Sequence, residues 1–325
     1  MKLLTIFTPA YNRLHTIRRT FESLNRQTCD NFEWIIIDDG SEDGIRIWVE
    51  SLGEKIVTNG QRFDWMGIPL DGVDENHFVI QLPKFKLTYI YKPNGGLYTG
   101  YNVAFSIIKT ELCVCIDSDD YLPDDAVENI CKGWESLSIQ EKRLIGGIVG
   151  LDYDVVNGKP LGGFFPVDNQ IEWIQNLHHL ADSKFVFRTS EIKRYAPQIG
   201  FCGEKDFNPH YMQMQLFDKF PMLVLNKNLC WVEYQIGADS MSRAIFKQYK
   251  RSPRSYAKYR LMELSMHRGL SLKRRISLAA HYFSACMFSR DINWLKNTPF
   301  KFLTIISIPI GIIYYCVIQY KASKE

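Results

Sequence analysis

The sequence predicts an α/β layer, a mostly parallel sheet flanked by helices, followed by a helical, basic C-terminal region. Two observations predict it. Short apolar runs alternate with helix-like stretches over the first 125 residues, the order that builds parallel sheets. Beyond residue 240 the pattern gives way to helix and positive charge, with 16 Lys+Arg against 3 Asp+Glu from 241 onward.

Taken in order, Leu3 to Thr8, Glu33 to Asp38, Leu87 to Lys92 and Glu111 to Asp117 read as buried strands of about 5–7 residues. Between them Thr16–Arg26, Asp43–Leu52 and Leu97–Lys109 read as helices. Residues 53–86 interrupt the alternation; they are rich in Gly, Asp and Pro, and Val79 to Leu82 suggests a small hairpin insertion. Pro123, Asp124 and Asp125 open a further helix ending near Leu137, with proline in the first turn and acids against the positive dipole end. Residues 144–237 mix strands (Ile145–Leu151, Phe185–Phe187, Met222–Leu225, Cys230–Tyr234) with helices (Ile171–Leu177, Pro209–Phe217). Residues 1–237 are thus expected to be one domain, with halves 1–125 and 126–237, and residues 238–325 a helical appendage.

In that appendage Pro253–Arg268 and Leu272–Ser289 are amphipathic, and 302–320 carries no formal charge between Lys301 and Lys321. As one helix that stretch would be about 28 Å long, close to a hydrocarbon core. Basic amphipathic helices ahead of it predict attachment to an anionic membrane through residues 243–320, spanning or lying flat.

The 325 residues are 46% hydrophobic and 23% charged, which excludes a disordered, collagen-like or small disulfide-stapled chain. The net charge of +3 conceals a balance of −10 before residue 241 and +13 after it. Such asymmetry points to an anionic partner for the basic end. The apolar run that closes it selects a membrane over nucleic acid. None of the eight cysteines forms Cys-x-x-Cys or a zinc spacing with histidine, so no structural metal is expected. The N-terminal apolar run is too short for a secretory signal, which predicts a reduced, cytosolic setting.

The chemistry lies at the predicted strand ends, where open α/β sheets bind ligands. They read Thr8-Pro9-Ala10-Tyr11-Asn12-Arg13, Asp38-Asp39-Gly40-Ser41, Lys92-Pro93-Asn94-Gly95-Gly96 and Asp117-Ser118-Asp119-Asp120. An acidic rim suits a phosphate ligand only through a divalent cation. Asp117 and Asp119 offer hard oxygen ligands to Mg²⁺ or Mn²⁺, which in turn bridges a diphosphate.

These four segments, in this order over residues 1–125, resemble family 2 glycosyltransferases of the GT-A fold. The basic, apolar tail predicts that the acceptor is a glycan or lipid-linked, and the resemblance implies an inverting transfer from a nucleotide-sugar donor, UDP-linked by family default. It belongs to the synthesis of cell-surface polysaccharide or glycolipid, at the cytoplasmic face of the membrane. By resemblance, Pro9 and Tyr11 pack on the nucleobase, Asp39 accepts a base N–H while Asp38 anchors the turn, and Lys92 and Asn94 contact the nucleotide. Asp117 is the ribose-side contact and Asp119 the metal ligand; Asp120 shares the metal or caps the next helix.

The family takes its general base from a Glu-Asp pair opening a helix. Here Lys205 splits that pair, leaving Glu204, Asp206 and His210, in the first turn of the Pro209 helix, as candidates. The altered pair also supports an alternative: a membrane-attached, non-catalytic sugar-binding scaffold with a decayed site.

Overall fold

A computed structural model of the chain describes residues 2–58, 60–179, 181–233 and 244–324. They divide into two compact units, one of residues up to Gln198 with Lys219–Glu233, the other of Ile199–Asp218 with the residues from 244 onward. Residues 199–218, expected in the first domain, thus cluster with the C-terminal helices.

The first unit begins β1 (Leu4–Ala10), α1 (Leu14–Arg26), β2 (Phe32–Asp38) and α2 (Ile45–Glu50). The insertion follows as β3 (Lys55–Val57), β4 (Gly60–Phe63), β5 (Pro69–Asp74) and β6 (Phe78–Gln81). Then come β7 (Lys86–Tyr91), α3 (Leu97–Ile107), β8 (Leu112–Cys115), α4 (Ala126–Glu135), α5 (Ile139–Leu144), β9 (Gly147–Asp154), β10 (Gln170–Glu172), β11 (Ser183–Arg188), α6 (Thr189–Ile192) and β12 (Met222–Val232). Among the described residues ten strands form one sheet, ordered β10-β12-β9-β11-β8-β1-β2-β7-β6-β3, while β4 and β5 pair apart from it.

Strands β8, β1, β2 and β7 are mutually parallel, and β9 and β12 are parallel to each other; β11 runs antiparallel to both β8 and β9. The C-terminal ends of β1, β2, β7, β8, β9 and β12 therefore share one edge with the N-terminal end of β11. The register (Ala10 opposite Asp38, Asp38 opposite Tyr91) aligns the predicted motifs along it. The strands are strand-like because they are buried on both faces: all seven residues of β1 are buried, and helices cover a sheet of this kind on each side. Trp34, on β2, is fully buried and donates its indole N–H to Thr8 Oγ1 at 3.0 Å. Burying a large apolar side chain of this kind stabilises by about 1.5–3 kcal/mol.

Two elements differ from expectation here. Ile171–Leu177 is not a helix: β10 pairs with β12 and a single 3₁₀ turn, Ile174–Asn176, follows it. Pairing along a strand edge overrides a helical pattern this short. The two expected strands at 222–225 and 230–234 are one strand, β12, with register shifts at Leu225/Asn228 and Asn228/Cys230; Tyr234 lies outside the described residues.

The second unit is helical: α7 (His210–Phe217), α8 (Ile245–Arg251), α9 (Pro253–Leu264), α10 (Leu272–Ser289), α11 (Trp294–Asn297), α12 (Lys301–Ile306) and α13 (Ile308–Ala322). Ser271 caps α10 by accepting from Arg274 N, 3.2 Å. Gly311 lets α13 lie close on α10, since a Cβ there would stand 2.8 Å from Phe283 Cδ1 and 2.9 Å from the Ala280 carbonyl oxygen.

The single helix expected over 302–320 is broken at Ser307. Pro309 has no N–H to give the carbonyl four residues back, and a helix tends to break at that step. Among the described residues no helix is long and apolar enough to cross a membrane. Phe302, Ile305, Ile306, Ile312, Ile313, Val317 and Tyr320 are exposed, as are Lys301, Lys321 and Lys324.

Candidate active site

The loops after β1 and β2 are tied together. Asn12, at φ 53°, donates its N–H to Ser41 Oγ (3.0 Å), and its Oδ1 accepts from Glu42 N (2.9 Å). Tyr11 is 51% exposed here, whereas Pro9, near the end of β1, is buried. Asp38 anchors the turn through Ser41 N (2.7 Å) and the Tyr89 hydroxyl.

Asp39 is buried and heavily satisfied. Oδ1 accepts from Lys92 Nζ and from Gly95 N (2.9 Å), Oδ2 from Gly96 N (2.9 Å) and Asn94 Nδ2 (3.2 Å). Burial raises its pKa, with the Lys92 ammonium and the glycine N–H groups pulling the other way. Lys92, which the resemblance sets against the nucleotide, is fully enclosed: besides Asp39 it donates to the Pro93 carbonyl (2.7 Å) and Thr99 Oγ1 (2.8 Å). Asp39 and Lys92 shape the 93–96 loop, and Asn94 is tied to it by a bond to the Asp39 carbonyl as well (2.8 Å).

The insertion takes part in this loop. Asn102 Nδ2 donates to the Met66 carbonyl at 2.9 Å, and a Cβ on Gly95 would come within 1.8 Å of the Trp65 carbonyl oxygen. Glycine is required where two backbones approach this closely. The link between β4 and β5 thus lies against the start of α3, a placement that its Gly, Asp and Pro content does not encode.

After β8 the chain turns through Asp117 to Asp120, closed by Asp120 N to the Asp117 carbonyl (3.0 Å). From α1, Arg19 Nη2 donates to the Asp119 carbonyl and Thr20 Oγ1 to the Asp120 carbonyl, 2.5 and 2.7 Å. Asp117 is exposed and Asp119 half-buried, whereas Asp120 is buried. Burial, then the neighbouring Asp117 charge, raises the Asp119 pKa. A carboxylate held under those conditions favours an added cation.

Asp120 caps no helix. Its Oδ2 lies 3.6 Å from Lys184 Nζ, at the start of β11, and the same ammonium is 3.8 Å from Asp152 Oδ1 on β9. Burial drives the Asp120 pKa well up and that of Asp152 up to about 6. Burial disfavours the Lys184 charge, but Asp152 and the neighbouring Cys230 and Asp120 raise its pKa well above the ordinary value. Sequence reading missed Lys184 and Asp152; the one signal is a lysine directly before the apolar run Phe185–Phe187.

Among the described residues no three His, Cys, Asp or Glu side chains form a closed metal cage. The exposed Asp117 and half-buried Asp119 still suit a hard cation, because Mg²⁺ and Mn²⁺ sites in phosphoryl chemistry commonly use one or two carboxylates and complete their shell with phosphate oxygens and water. Beside the turn, Tyr121 exchanges backbone hydrogen bonds with Trp231 (3.2 and 2.8 Å), and their rings stack at 6.4 Å.

The base candidates belong to the second unit, and two have structural employment. Glu204 is buried and caps α9: Oε1 accepts from Arg254 N and Nε (3.1 and 2.9 Å), Oε2 from Ser255 N and Oγ (both 2.8 Å). That satisfies N–H groups a helix start leaves open. Asp206 pairs with Arg251 and accepts from Ser252 Oγ at 2.8 Å, holding the junction of α8 and α9. His210 opens α7, with Nδ1 3.0 Å from Gln213 Oε1.

Against known proteins, residues 5–67 match the model of glycosyl transferase family 2. Chondroitin synthase of Pasteurella multocida (strain Pm70) is 32% identical over 126 residues, 39% of this chain and 10% of that relative. The chain thus matches about a tenth of the relative's length. Among solved structures, S. aureus TarS in complex with UDP-GlcNAc superposes with TM-score 0.55 at 18% identity, covering 96% of this chain and 81% of that one. The mannosyltransferase PcManGT from Pyrobaculum calidifontis, in complex with GDP-Man and Mn²⁺, gives 0.50 at 13% identity, covering 99% and 84%. These likenesses establish the GT-A fold.

Proposed function

We propose, from the premise that this chain belongs to glycosyl transferase family 2 and folds as GT-A, that it moves a sugar from a nucleoside-diphosphate donor, UDP-linked, to a hydroxyl of a glycan or lipid-linked acceptor. The observation that carries the reading is the acidic turn. The exposed Asp117 and the half-buried Asp119, whose charge is penalised by burial and by its neighbour, lie at the same sheet edge as the exposed Tyr11. Asp119, with Asp117 beside it, would hold Mn²⁺ or Mg²⁺, which supplies charge neutralisation on the departing diphosphate. Tyr11 offers its ring to the base over Pro9, and Asp39 and Lys92 set the loop that presents Asn94 to the nucleotide.

Inversion requires one in-line displacement, with the acceptor proton removed as the bond to C1 forms. Glu204 and Asp206 each hold a helix start in place. Proton removal falls to one of Glu204, Asp206 and His210, of which His210 is the side-chain type that titrates nearest neutral pH. The same engagement of Glu204 and Asp206 favours, as a second reading, a sugar-binding scaffold without turnover.

A panel of nucleotide sugars with Mn²⁺ or Mg²⁺, with and without membrane lipid extract, separates the two. Release of nucleoside diphosphate from one donor, abolished by EDTA, is expected; no release from any donor in the intact protein favours the scaffold.

The exposed apolar residues of α12 and α13, among Lys301, Lys321 and Lys324, support peripheral attachment to an anionic leaflet at the cytoplasmic face. Each lysine or arginine near such a surface contributes about 1 kcal/mol. The full chain is expected to float with anionic vesicles and not with neutral ones, and Ile313→Asp to weaken that binding. Equal behaviour with both vesicle types removes the electrostatic part of this reading.

A further inference from the structure

Asp117, Asp119, Asp120 and Asp152 bring four carboxylates to one sheet edge, yet they are not equivalent. Asp120 and Asp152 are 6% and 3% exposed, and between them lies Lys184, itself only 8% exposed. Its ammonium stands 3.6 Å from Asp120 Oδ2 and 3.8 Å from Asp152 Oδ1. Asp152 Oδ1 has no hydrogen-bond donor, so the lysine charge is its compensation. Cys230 Sγ, 3.8 Å from Asp120 Oδ2, adds a weak donor. Four chain segments separated by more than 30 residues each converge here, from the turn after β8, from β9, from β11 and from β12. Such convergence has a cost, because two buried carboxylates are unfavourable without a cation among them.

We propose that Lys184 is a positioning residue for the divalent-cation site: its ammonium holds Asp120 and Asp152 inward, so that Asp117 and Asp119 alone are presented to the cation and the donor's diphosphate. The inference rests on the glycosyl-transfer reading above. Arg19 and Thr20 fix the backbone of the turn from one side through the Asp119 and Asp120 carbonyls, and Lys184 fixes its last side chain from the other. Without the lysine, Asp120 and Asp152 would draw a cation to themselves, away from the place where the diphosphate meets it.

The test uses the full chain as wild type, Lys184→Gln and Lys184→Arg, followed by thermal unfolding in EDTA and in Mn²⁺, and by calorimetry of UDP with Mn²⁺ present. Lys184→Gln is expected to melt lower than wild type in EDTA and to be raised more by Mn²⁺, since its freed carboxylates accept the ion. Its Mn²⁺-supported UDP affinity is expected to fall about tenfold or more, the usual effect of removing a group that orients metal ligands. Lys184→Arg, which keeps the charge, is expected to retain most of that affinity. Wild-type affinity in Lys184→Gln overturns the proposal. If Lys184→Gln does not fold, the double variant Lys184→Gln with Asp152→Asn leaves one uncompensated buried carboxylate instead of two and still frees Asp120 to draw the cation: a similar loss of UDP affinity supports the proposal and unchanged affinity overturns it. Wild-type protein that takes up neither Mn²⁺ nor UDP overturns the underlying reading, and the positioning role with it, whatever the variants do.

Discussion

Asp119→Asn is expected to lower kcat for cation-supported sugar transfer by about 10³-fold, a loss of about 4 kcal/mol in transition-state stabilisation. The substitution keeps the shape of the side chain and removes its charge. The backbone of the turn stays anchored, since Arg19 holds the Asp119 carbonyl and not the carboxylate. Folding stability should therefore hold or rise slightly. The Asp119 pKa is raised in the folded protein, so its ionised form is disfavoured there, and above that pKa a neutral amide relieves the penalty. A variant that melts at or above the wild-type temperature, has lost Mn²⁺-dependent turnover and binds Mn²⁺ weakly would show this separation of function from stability. Full metal-dependent turnover in Asp119→Asn would mean that the cation sits elsewhere.

Asp39→Ala is expected to destabilise the sheet-bearing unit by about 3–5 kcal/mol, because it strands the Lys92 ammonium, fully buried, without its counter-charge. The same substitution takes the side-chain acceptor from Gly95 N and Gly96 N, while Asn94 Nδ2 keeps its bond to the carbonyl of residue 39, so the 93–96 loop should loosen and nucleotide affinity fall with stability. The double variant Asp39→Asn with Lys92→Met discriminates the cause. Removing both charges of a buried pair is far less harmful than removing one. Urea unfolding should place it well above Asp39→Ala. A double variant no more stable than Asp39→Ala would show that the glycine N–H bonds, rather than the ion pair, dominate.

Of the candidate site, the acidic turn was legible as four consecutive residues, because a turn at a strand end is a local event. The role of Asp39 was legible only in part. Its position was, but nothing near it in the chain announces that Lys92 turns inward to meet it, 53 residues on. Glu204 and Asp206 looked like a displaced acid pair, and their engagement depends on Arg254 and Arg251, about 45–50 residues away. The break at Ser307 stands between these cases: Pro309 is visible, yet 302–320 still reads as one apolar stretch when hydropathy is averaged over it.

By itself the amino-acid order determined the α/β alternation, the strands that end in motifs, the acidic turn and the change to basic helices after residue 240. Each is set by periodicity, turn chemistry or charge within about ten residues, and short-range forces suffice to impose them. Only the tertiary structure decided which carboxylates are exposed, which lysines are enclosed, where the insertion lies and that Ile171 and Glu172 pair along β12. Those outcomes depend on desolvation and on partners brought together across the chain. The energy of a buried charge is set by what surrounds it, and the surroundings do not exist until the chain has folded.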